Sequence, residues 1–267
     1  MVSRFDSYAK KYSCIHMRRE NGILEMRLHT DNGPLRWGLG PHGELPDAFA
    51  DVARDRDNRV VILTGTGDEW SGVRATTGAR SLAQGLTANA YDRVHWEGRA
   101  LLMNLLNIEV PVIAAINGPA WRHCEIPLLS DIVLAADTAA FQDSAHFMSG
   151  MLPGDGMHIV MPLLMGMNRG RYFLLTGQTL SAQQAKELGL VAELLPPDRV
   201  LARAWEHAEA LAAKPMLLLR YTRLMFTEYL KKRMQDLLGY GLAMEGLALM
   251  EQIDTPNDAS DTAQSRC

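Results

Sequence analysis

The chain has 267 residues, of which 47% are hydrophobic and 22% charged, so it can bury a sizeable core as an ordinary globular protein. Its net charge of -4 and the lack of a long basic block exclude the footprint of a nucleic-acid-binding protein. Three cysteines at unrelated spacings form no disulfide framework. No apolar run is long enough for a membrane span, and residues 1–14 lack an apolar signal, so we expect a cytoplasmic protein with no membrane or nucleic-acid partner.

The first third of the chain predicts the start of a sheet. Residues 12–28 alternate as two short strands around Asn21-Gly22, which is a strong hairpin signal. Helical spacing follows over 44–55, which places His42 at a junction between a loop and a helix. Residues 59–64 (RVVILT) are almost wholly apolar and predict a strand buried on both faces.

The glycine-rich segment after this strand, GTGDEWSG, is a common kind of place for a ligand. It is not a phosphate-binding P-loop, because no Gly-Lys-Ser/Thr follows. Residues 73–95 have poor periodicity and predict a mobile loop or short helix that could cover a pocket. Residues 94–108 have the spacing of an amphipathic helix.

Strands and helices alternate in the middle of the chain. Residues 110–116 predict a second buried strand, 131–137 a third and 139–143 a fourth. This alternation predicts βα units with helices packed on a sheet, and therefore an α/β fold.

The last third is mainly helical. Ser181 and Gln184 have the spacing of a capping box, and a short strand is expected over 190–195. We therefore predict a core at 1–200, a helical region at 201–253 and a disordered polar tail at 254–267.

Polar residues interrupt an apolar framework between Asn117 and Gly156. His123 and Cys124 lie in a run that is otherwise buried, and His146 and Asp155 follow within one segment. A histidine and an acid near a helix start suit a general base and the group that orients it. Structural roles remain open: Asp155 as the N-cap of a helix that begins near Met157, His123 as a satisfied core histidine, and Cys124 as a small core hydrophobe.

Five stretches together resemble the crotonase (enoyl-CoA hydratase/isomerase) superfamily over nearly the whole chain. They are VVILTGTG, IEVPVIAAINGPA, SDIVLAADTAAFQD, MLPGDGMHIVMPLLMG and YFLLTGQTLSAQQAKELGLVAELLP. The resemblance implies a spiral of ββα turns with a C-terminal helical trimerisation region. It also implies an active site in which two backbone N–H groups stabilise an enolate.

The sequence departs from that superfamily where its hydratases bind a CoA thioester. Trp121-Arg122-His123 replaces the run of glycines that precedes Cys-Glu, and His146 stands where a Pro-Glu dipeptide is usual. The loop that usually follows TGxGxxF is replaced by SGVRATTG. All three changes count against CoA chemistry.

These departures resemble a branch of the superfamily, the β-diketone hydrolases typified by 6-oxocamphor hydrolase. The matching motifs are RWGLGPH, RHCEIP, DSAHF, PGDG and YGLAMEGL. The resemblance implies a cofactor-free retro-Claisen cleavage of a cyclic, non-enolisable 1,3-diketone, without a metal, by a homotrimer or a dimer of trimers. It assigns six site residues, of which the first five are catalytic and the last binds substrate: His146, Asp155, His123, His42, Glu245 and Trp37.

The roles can be stated as a hypothesis. Asp155 orients His146, which takes a proton from water, and His123 donates to a carbonyl oxygen or to the developing enolate. Glu245 and His42 form a second acid–histidine pair that orients or protonates the leaving enolate, and Trp37 contacts the substrate. Without the resemblance, Glu245 would be assigned as an ordinary charge on a helix surface.

Three alternatives remain open. A CoA-dependent hydratase or isomerase would use Glu125, as the fold alone favours. A zinc site could be built from His42, His123, His146 and Asp155, although no short ligand motif supports it. A catalytically silent trimeric binding protein would leave the polar cluster without a purpose.

Overall fold

The computed structural model describes residues 4–72 and 86–254, with the backbone alone at 252–254. The strands are β1 (Ile15–Glu20), β2 (Ile23–Leu28), β3 (Val60–Thr64), β4 (Val112–Ile116), β5 (Ile132–Ala136), β6 (Ala140–Phe141), β7 (Leu180–Ser181) and β8 (Glu193–Leu195). The helices are α1 (Arg4–Tyr8), α2 (Leu39–Arg54), α3 (Ala88–Leu106), α4 (Glu125–Leu128), α5 (Met157–Met165), α6 (Met167–Thr176), α7 (Ala182–Glu187), α8 (Pro197–Ala212) and α9 (Met216–Asp254). A 3-10 turn spans Phe147–Ser149. The predicted α/β class is confirmed.

Six strands form the main sheet in the order β1-β2-β3-β4-β5-β8. Strand β1 pairs antiparallel with β2 at one edge, and the other pairs are parallel. The hairpin between β1 and β2 turns at Asn21 and Gly22, whose φ angles of 51° and 80° are those of a type I′ turn. The hairpin predicted from Asn-Gly is therefore confirmed.

Both faces of the parallel sheet are buried, as the apolar strands predict. On β3, Val61 and Leu63 join the larger core, while Val60 and Ile62 join a second cluster on the opposite face. Helix α8 covers that second face with small residues such as Ala204. Because successive side chains on a strand point to opposite faces, a strand buried twice has to be apolar at every position.

A short second strand or bridge follows most strands of the main sheet. Isolated parallel bridges join Arg36 to Gly72, Ser71 to Ala120 and Ala120 to Phe141. Each pairs the segment after one main strand with the corresponding segment of a neighbouring turn. The chain therefore climbs through repeated strand–bridge–helix turns, which is the ββα spiral that the resemblance implies.

Two helices begin earlier than the sequence predicts. Helix α2 starts at Leu39, so His42 lies in its first turn and not at a junction; proline is tolerated in a first turn, and Pro41 does not delay the helix. Helix α3 starts at Ala88, because Thr87 caps it by accepting a hydrogen bond from the N–H of Ala90. The remainder of the predicted covering loop, 73–85, lies outside the described residues.

The C-terminal third contains the predicted capping box. The Ser181 hydroxyl accepts from the Gln184 N–H, and the Gln184 side chain accepts from the Ser181 N–H. Helix α9 runs for 39 residues after α8. No helix within the described ranges combines the length and the apolar character needed to cross a membrane. The division at residue 200 stays a prediction, and all but the first residue of the tail predicted at 254–267 lies outside the described residues.

The glycine-rich turn after β3 is occupied by protein contacts. The Asn117 amide donates to the carbonyls of Gly67 and Glu69, and its oxygen accepts from the Gly65 N–H. A Cβ on Gly118 would lie 1.8 Å from the Asp68 carbonyl oxygen. The turn therefore locks the carboxyl end of β3 to that of β4, and the expectation of a ligand in its backbone is not supported.

We expect Gly118→Ala to destabilise the protein, because its methyl group has to displace the backbone at Asp68. Overpacking of this kind costs about 1–3 kcal/mol. Urea unfolding measures the loss. The matched control is Gly40→Ala, where a Cβ meets nothing within 4 Å, and an equal loss in both variants would contradict the close approach at Gly118.

Candidate active site

One cavity of about 280 Å³ collects the side chains that the sequence singles out. All six predicted site residues line it: Trp37, His42, His123, His146, Asp155 and Glu245. Much of the remaining lining is apolar and includes Leu39, Leu86, Val94, Met151, Leu242 and Leu249. A concave, mainly apolar cavity with a few convergent polar groups is the usual form of a small-molecule site.

The ring of His146 lies between two carboxylates. Its Nδ1 is 2.6 Å from Oδ1 of Asp143, and its Nε2 is 3.1 Å from Oδ2 of Asp155. All three residues are at least 93% buried. Burial by itself lowers the pKa of His146, but the two carboxylates outweigh it and hold the pKa well above its ordinary value. His146 is therefore an imidazolium at neutral pH.

His123 stands at the first turn after the carboxyl end of β4. Its Nδ1 is 2.8 Å from Oε1 of Glu125 and 3.3 Å from Oδ2 of Asp155. Burial lowers its pKa, but the two acids raise it further, and the net shift is upward. The Trp37 ring packs on the imidazole with centroids 3.8 Å apart. No hydrogen bond engages Nε2 among the described residues, so that edge of the ring is open for a ligand.

The backbone of His123 has φ of 52°, in the left-handed region that favours glycine. This is the segment where the sequence replaces the glycines of the CoA hydratases. The chain therefore keeps a glycine-like conformation at this position while adding an imidazole. A non-glycine residue held there costs on the order of 1–3 kcal/mol, which the surrounding packing and ion pairs offset.

Asp155 is the carboxylate that both histidines share. Gly156 is the N-cap residue of α5, with no side-chain capping bond, so the assignment of Asp155 as an N-cap is wrong. Its Oδ2 faces His123 and His146, and its Oδ1 is buried without a hydrogen-bond partner in the described part of the chain. Burial raises its pKa, but the two histidines lower it well below the ordinary range, and Asp155 is ionised.

His42 is paired with Glu97, not with Glu245 as the sequence suggested. Its Nδ1 is 2.9 Å from Oε2 of Glu97, whose Oε1 accepts from Arg93 at 2.7 Å. Burial lowers the pKa of His42 in spite of this partner, so the ring is neutral at pH 7. A neutral ring that donates from Nδ1 to Glu97 has its acceptor at Nε2.

Glu245 is a buried acid and not a charge on the surface of α9. Its side chain lines the cavity, and its Oε2 has no hydrogen-bond partner among the described residues. Burial raises its pKa to about 8, and the histidines reduce this shift only in part. Glu245 therefore carries a proton at neutral pH and can donate it into the cavity.

Two site residues escaped the sequence prediction. Asp143 precedes His146 by three residues, a spacing that allows contact in a turn, but the segment has no periodicity to show its orientation. Glu97 had a usable signal: it lies four residues before Leu101 on the buried face of α3. An acid on an apolar helical face needs a partner in the interior.

The four zinc ligands considered from the sequence do not form one group among the described residues. A different set of three described residues brings its donor atoms within 4.8 Å of one another: His123, Glu125 and Asp155. Their proximity is explained by the ion pairs of the His123 Nδ1 atom. A metal ion there would have to displace the proton on that nitrogen.

Comparisons with known proteins point to one family. The model of the enoyl-CoA hydratase/isomerase family matches residues 18–255. A Mycobacterium tuberculosis protein named as a probable enoyl-CoA hydratase is 32% identical over 175 residues, which is 63% of this chain. The matched region spans 60% of that protein's length.

Solved structures of similar proteins carry two different names. A β-diketone hydrolase from Anabaena sp. PCC 7120, bound to (S)-3-oxocyclohexyl acetic acid, is 47% identical with a TM-score of 0.86. The match covers 92% of this chain and 98% of that one. An enoyl-CoA hydratase/isomerase from Mycobacterium paratuberculosis is 25% identical with a TM-score of 0.79, over 89% of this chain and 94% of that one.

We expect infrared difference spectra to show a protonated carboxylic acid that belongs to Glu245. The C=O band of the acid should be present at pH 6 and should disappear as the pH rises through about 8. Glu245→Gln should lack this band, while Glu228→Gln, an exposed change on the same helix, should keep it. A band absent at pH 6 would contradict the protonated state.

Proposed function

We propose, given that this chain belongs to the enoyl-CoA hydratase/isomerase family, that it is a β-diketone hydrolase. It cleaves the C–C bond between the carbonyls of a non-enolisable cyclic 1,3-diketone by a cofactor-free retro-Claisen reaction. The observation that carries this proposal is the convergence of three histidines and two acids on one apolar cavity. The Anabaena β-diketone hydrolase, at 47% identity, supports the same reaction class.

Hydrolysis begins with water. The unit formed by His146 and Asp155 accepts one proton from a water molecule, and the hydroxide oxygen adds to one carbonyl carbon. The former carbonyl oxygen becomes an oxyanion. His123 donates to this oxyanion from the open edge of its ring, and an imidazolium is a stronger donor than a neutral ring.

Collapse of the tetrahedral intermediate breaks the C–C bond. The oxyanion re-forms a C=O bond, and the electron pair of the broken bond passes to the α-carbon as an enolate of the second carbonyl. The first carbonyl becomes a carboxylic acid. Because the substrate carbon between the carbonyls carries no proton, deprotonation there cannot divert the diketone into an unreactive enolate.

The enolate then takes a proton at carbon. Glu245 supplies it, because burial keeps its acid protonated at neutral pH. The proton that the His146–Asp155 unit took from water restores Glu245, so one water is consumed and no proton is lost. Neutral His42 can accept a hydrogen bond at Nε2 from a water molecule in the cavity. Trp37 packs against the substrate ring.

The alternative reaction class has support in the names of the sequence relatives. A CoA-dependent hydratase would use Glu125, but this side chain is fully buried and engaged by His123, and it is not part of the cavity lining. The role that this position suits is to hold the His123 ring by accepting a hydrogen bond from its Nδ1. CoA thioester hydration is therefore the competing outcome of the functional test, together with a catalytically silent binding protein.

We further propose that the chain works as a homotrimer or a dimer of trimers in the cytoplasm. Helix α9 exposes large apolar side chains, among them Tyr221, Met225, Phe226 and Tyr229, each more than 50% exposed. Apolar surface of this extent on one helix is typical of an interface between subunits. Light scattering of the purified protein tests the mass.

We expect the purified protein to convert 2,2-disubstituted cyclic 1,3-diketones into keto acids that are one water heavier. Crotonyl-CoA, assayed in parallel, should be left unchanged, and a chelator should have no effect on the diketone reaction. Mass spectrometry identifies the products. Hydration of crotonyl-CoA without diketone cleavage would overturn the proposed function, and inactivity on both would favour a binding role.

We expect His146→Ala to abolish turnover and His123→Asn to reduce kcat by about 100- to 1000-fold, the usual cost of removing one oxyanion donor. Asparagine tolerates the left-handed backbone, so this change tests the imidazole and not the turn. His207→Ala, on α8 behind the sheet, is the matched control and should keep full activity. A His123→Asn variant that changes only KM would contradict the donor role.

A further inference from the structure

The proton state of His146 follows from the two carboxylates that face its ring. Nδ1 faces a carboxylate oxygen at 2.6 Å and Nε2 faces another at 3.1 Å. A neutral imidazole has one N–H and one lone pair, and a lone pair held at these distances from a carboxylate would be repelled. Both nitrogens therefore carry protons. His146 has no open nitrogen with which to accept a proton from water.

We propose that Asp143 is a positioning residue that keeps His146 protonated, so that His146 acts as a hydrogen-bond donor and Asp155 is the base that takes the proton from water. This inference rests on the proposed function and changes the assignment of the base within it. Asp143 lies behind the ring and is absent from the cavity lining, so it acts through His146 and does not touch substrate.

Asp155 has the free atom that a base requires. Its Oδ2 is occupied by His123 and His146, while its Oδ1 is buried and has no hydrogen-bond partner in the described residues. The Asp155 side chain lines the cavity. A buried oxygen without a partner needs one, and a water molecule admitted to Oδ1 together with the substrate would supply that partner and find an acceptor for one of its protons. A lone pair of the water oxygen would then be directed at the substrate carbonyl carbon.

Asp155 has a low pKa in the free protein, so its protonation costs free energy, and this cost is offset during the reaction. The rings of His123 and His146 stabilise the Asp155 carboxylate before substrate binds. As hydroxide adds to the carbonyl, negative charge moves from this carboxylate to the substrate oxygen. His123 can donate to the new oxyanion from Nε2, while the charge of His146 stays in place between its two carboxylates, so little reorganisation is needed.

The step balances in atoms and charge. The water O–H bond breaks, its proton forms an O–H bond at Asp155 Oδ1, and its electron pair forms the C–O bond to the carbonyl carbon. The C=O π pair passes to oxygen. Asp155 becomes neutral, the substrate carries the single negative charge, and His146 and Asp143 keep their charges.

Other ionisable groups around this unit determine what a titration will record. The described groups that interact with His146, Asp143 or Asp155 are His123, Glu125, Glu245, Arg122, His42, His158, Cys124 and Tyr91. Glu245 is expected to add its own loss of activity near pH 8 in every variant that retains it. The informative quantity is therefore the difference between variants and not the absolute profile.

The test is the pH dependence of kcat in Asp143→Asn. Loss of this carboxylate lowers the pKa of His146 and makes the ring neutral at a lower pH. We expect kcat to fall about tenfold per pH unit above that lowered pKa. The wild-type rate should stay level until the pH approaches 8, where Glu245 loses its proton. KM should change little, because Asp143 does not line the cavity. Asp137→Asn, the same change at an exposed position six residues earlier, should match the wild type.

A neutral His146 base predicts the opposite sign. In that case Asp143→Asn would liberate the base, and kcat would rise at neutral pH and with increasing pH. Such a result, or a profile unchanged from wild type, would overturn the inference while leaving diketone hydrolysis intact. If the wild type itself fails to cleave diketones, the proposed function fails first.

A spectroscopic measurement on the wild type guards against a variant that does not fold. In ¹⁵N-histidine NMR, the His146 signal is assigned by its absence from His146→Ala. We expect both ring nitrogens of His146 to be protonated at pH 7 in the wild type. In Asp143→Asn, the pH above which kcat falls should coincide with the His146 pKa measured in that variant. A neutral His146 in the wild type at pH 7 would refute the inference.

Discussion

The candidate active site depends on one buried carboxylate, Asp155, held between two histidine rings. Asp155 is 93% buried, and an ionised acid at that depth would cost several kcal/mol without partners. His123 and His146 approach the same oxygen from different loops, with ring centroids 6.1 Å apart. Each group stabilises the charge of the others, so removal of any one leaves an uncompensated charge in the interior.

The parallel sheet brings these groups together. His123 follows the carboxyl end of β4, and His146 follows β5 and the short strand β6. Neighbouring parallel strands end at the same edge, so the loops that follow them are adjacent however far apart they lie in sequence. Asp155 then enters from the start of α5, and Glu245 from α9 closes the cavity. The hydrogen bonds of Asn117 to the turn after β3 hold the carboxyl ends of β3 and β4 together, and the site lies at this edge of the sheet.

Much of the fold could be predicted because its signals are local. Asn21-Gly22, the apolar strands and the capping box at Ser181 each determine their own structure. Helices α2 and α3 begin before the residues at which their periodicity becomes visible, because prolines and glycines precede Glu44 and the periodicity before Val94 is weak. The six cavity residues came from motif resemblance, whereas their partners did not: pairing of His42 with Glu97, and of His146 with Asp143, depends on packing between distant elements and on a turn without periodicity.

The most direct test of diketone cleavage in this cavity is hydrolysis of a 2,2-disubstituted cyclic 1,3-diketone in ¹⁸O-labelled water, with the product analysed by fragmentation mass spectrometry. The account predicts a ring-opened keto acid that carries one ¹⁸O in its carboxylate group, and no such product from the His146→Ala variant. Recovery of the intact diketone from the wild type, together with ¹⁸O incorporated into the hydration product of crotonyl-CoA, would contradict it.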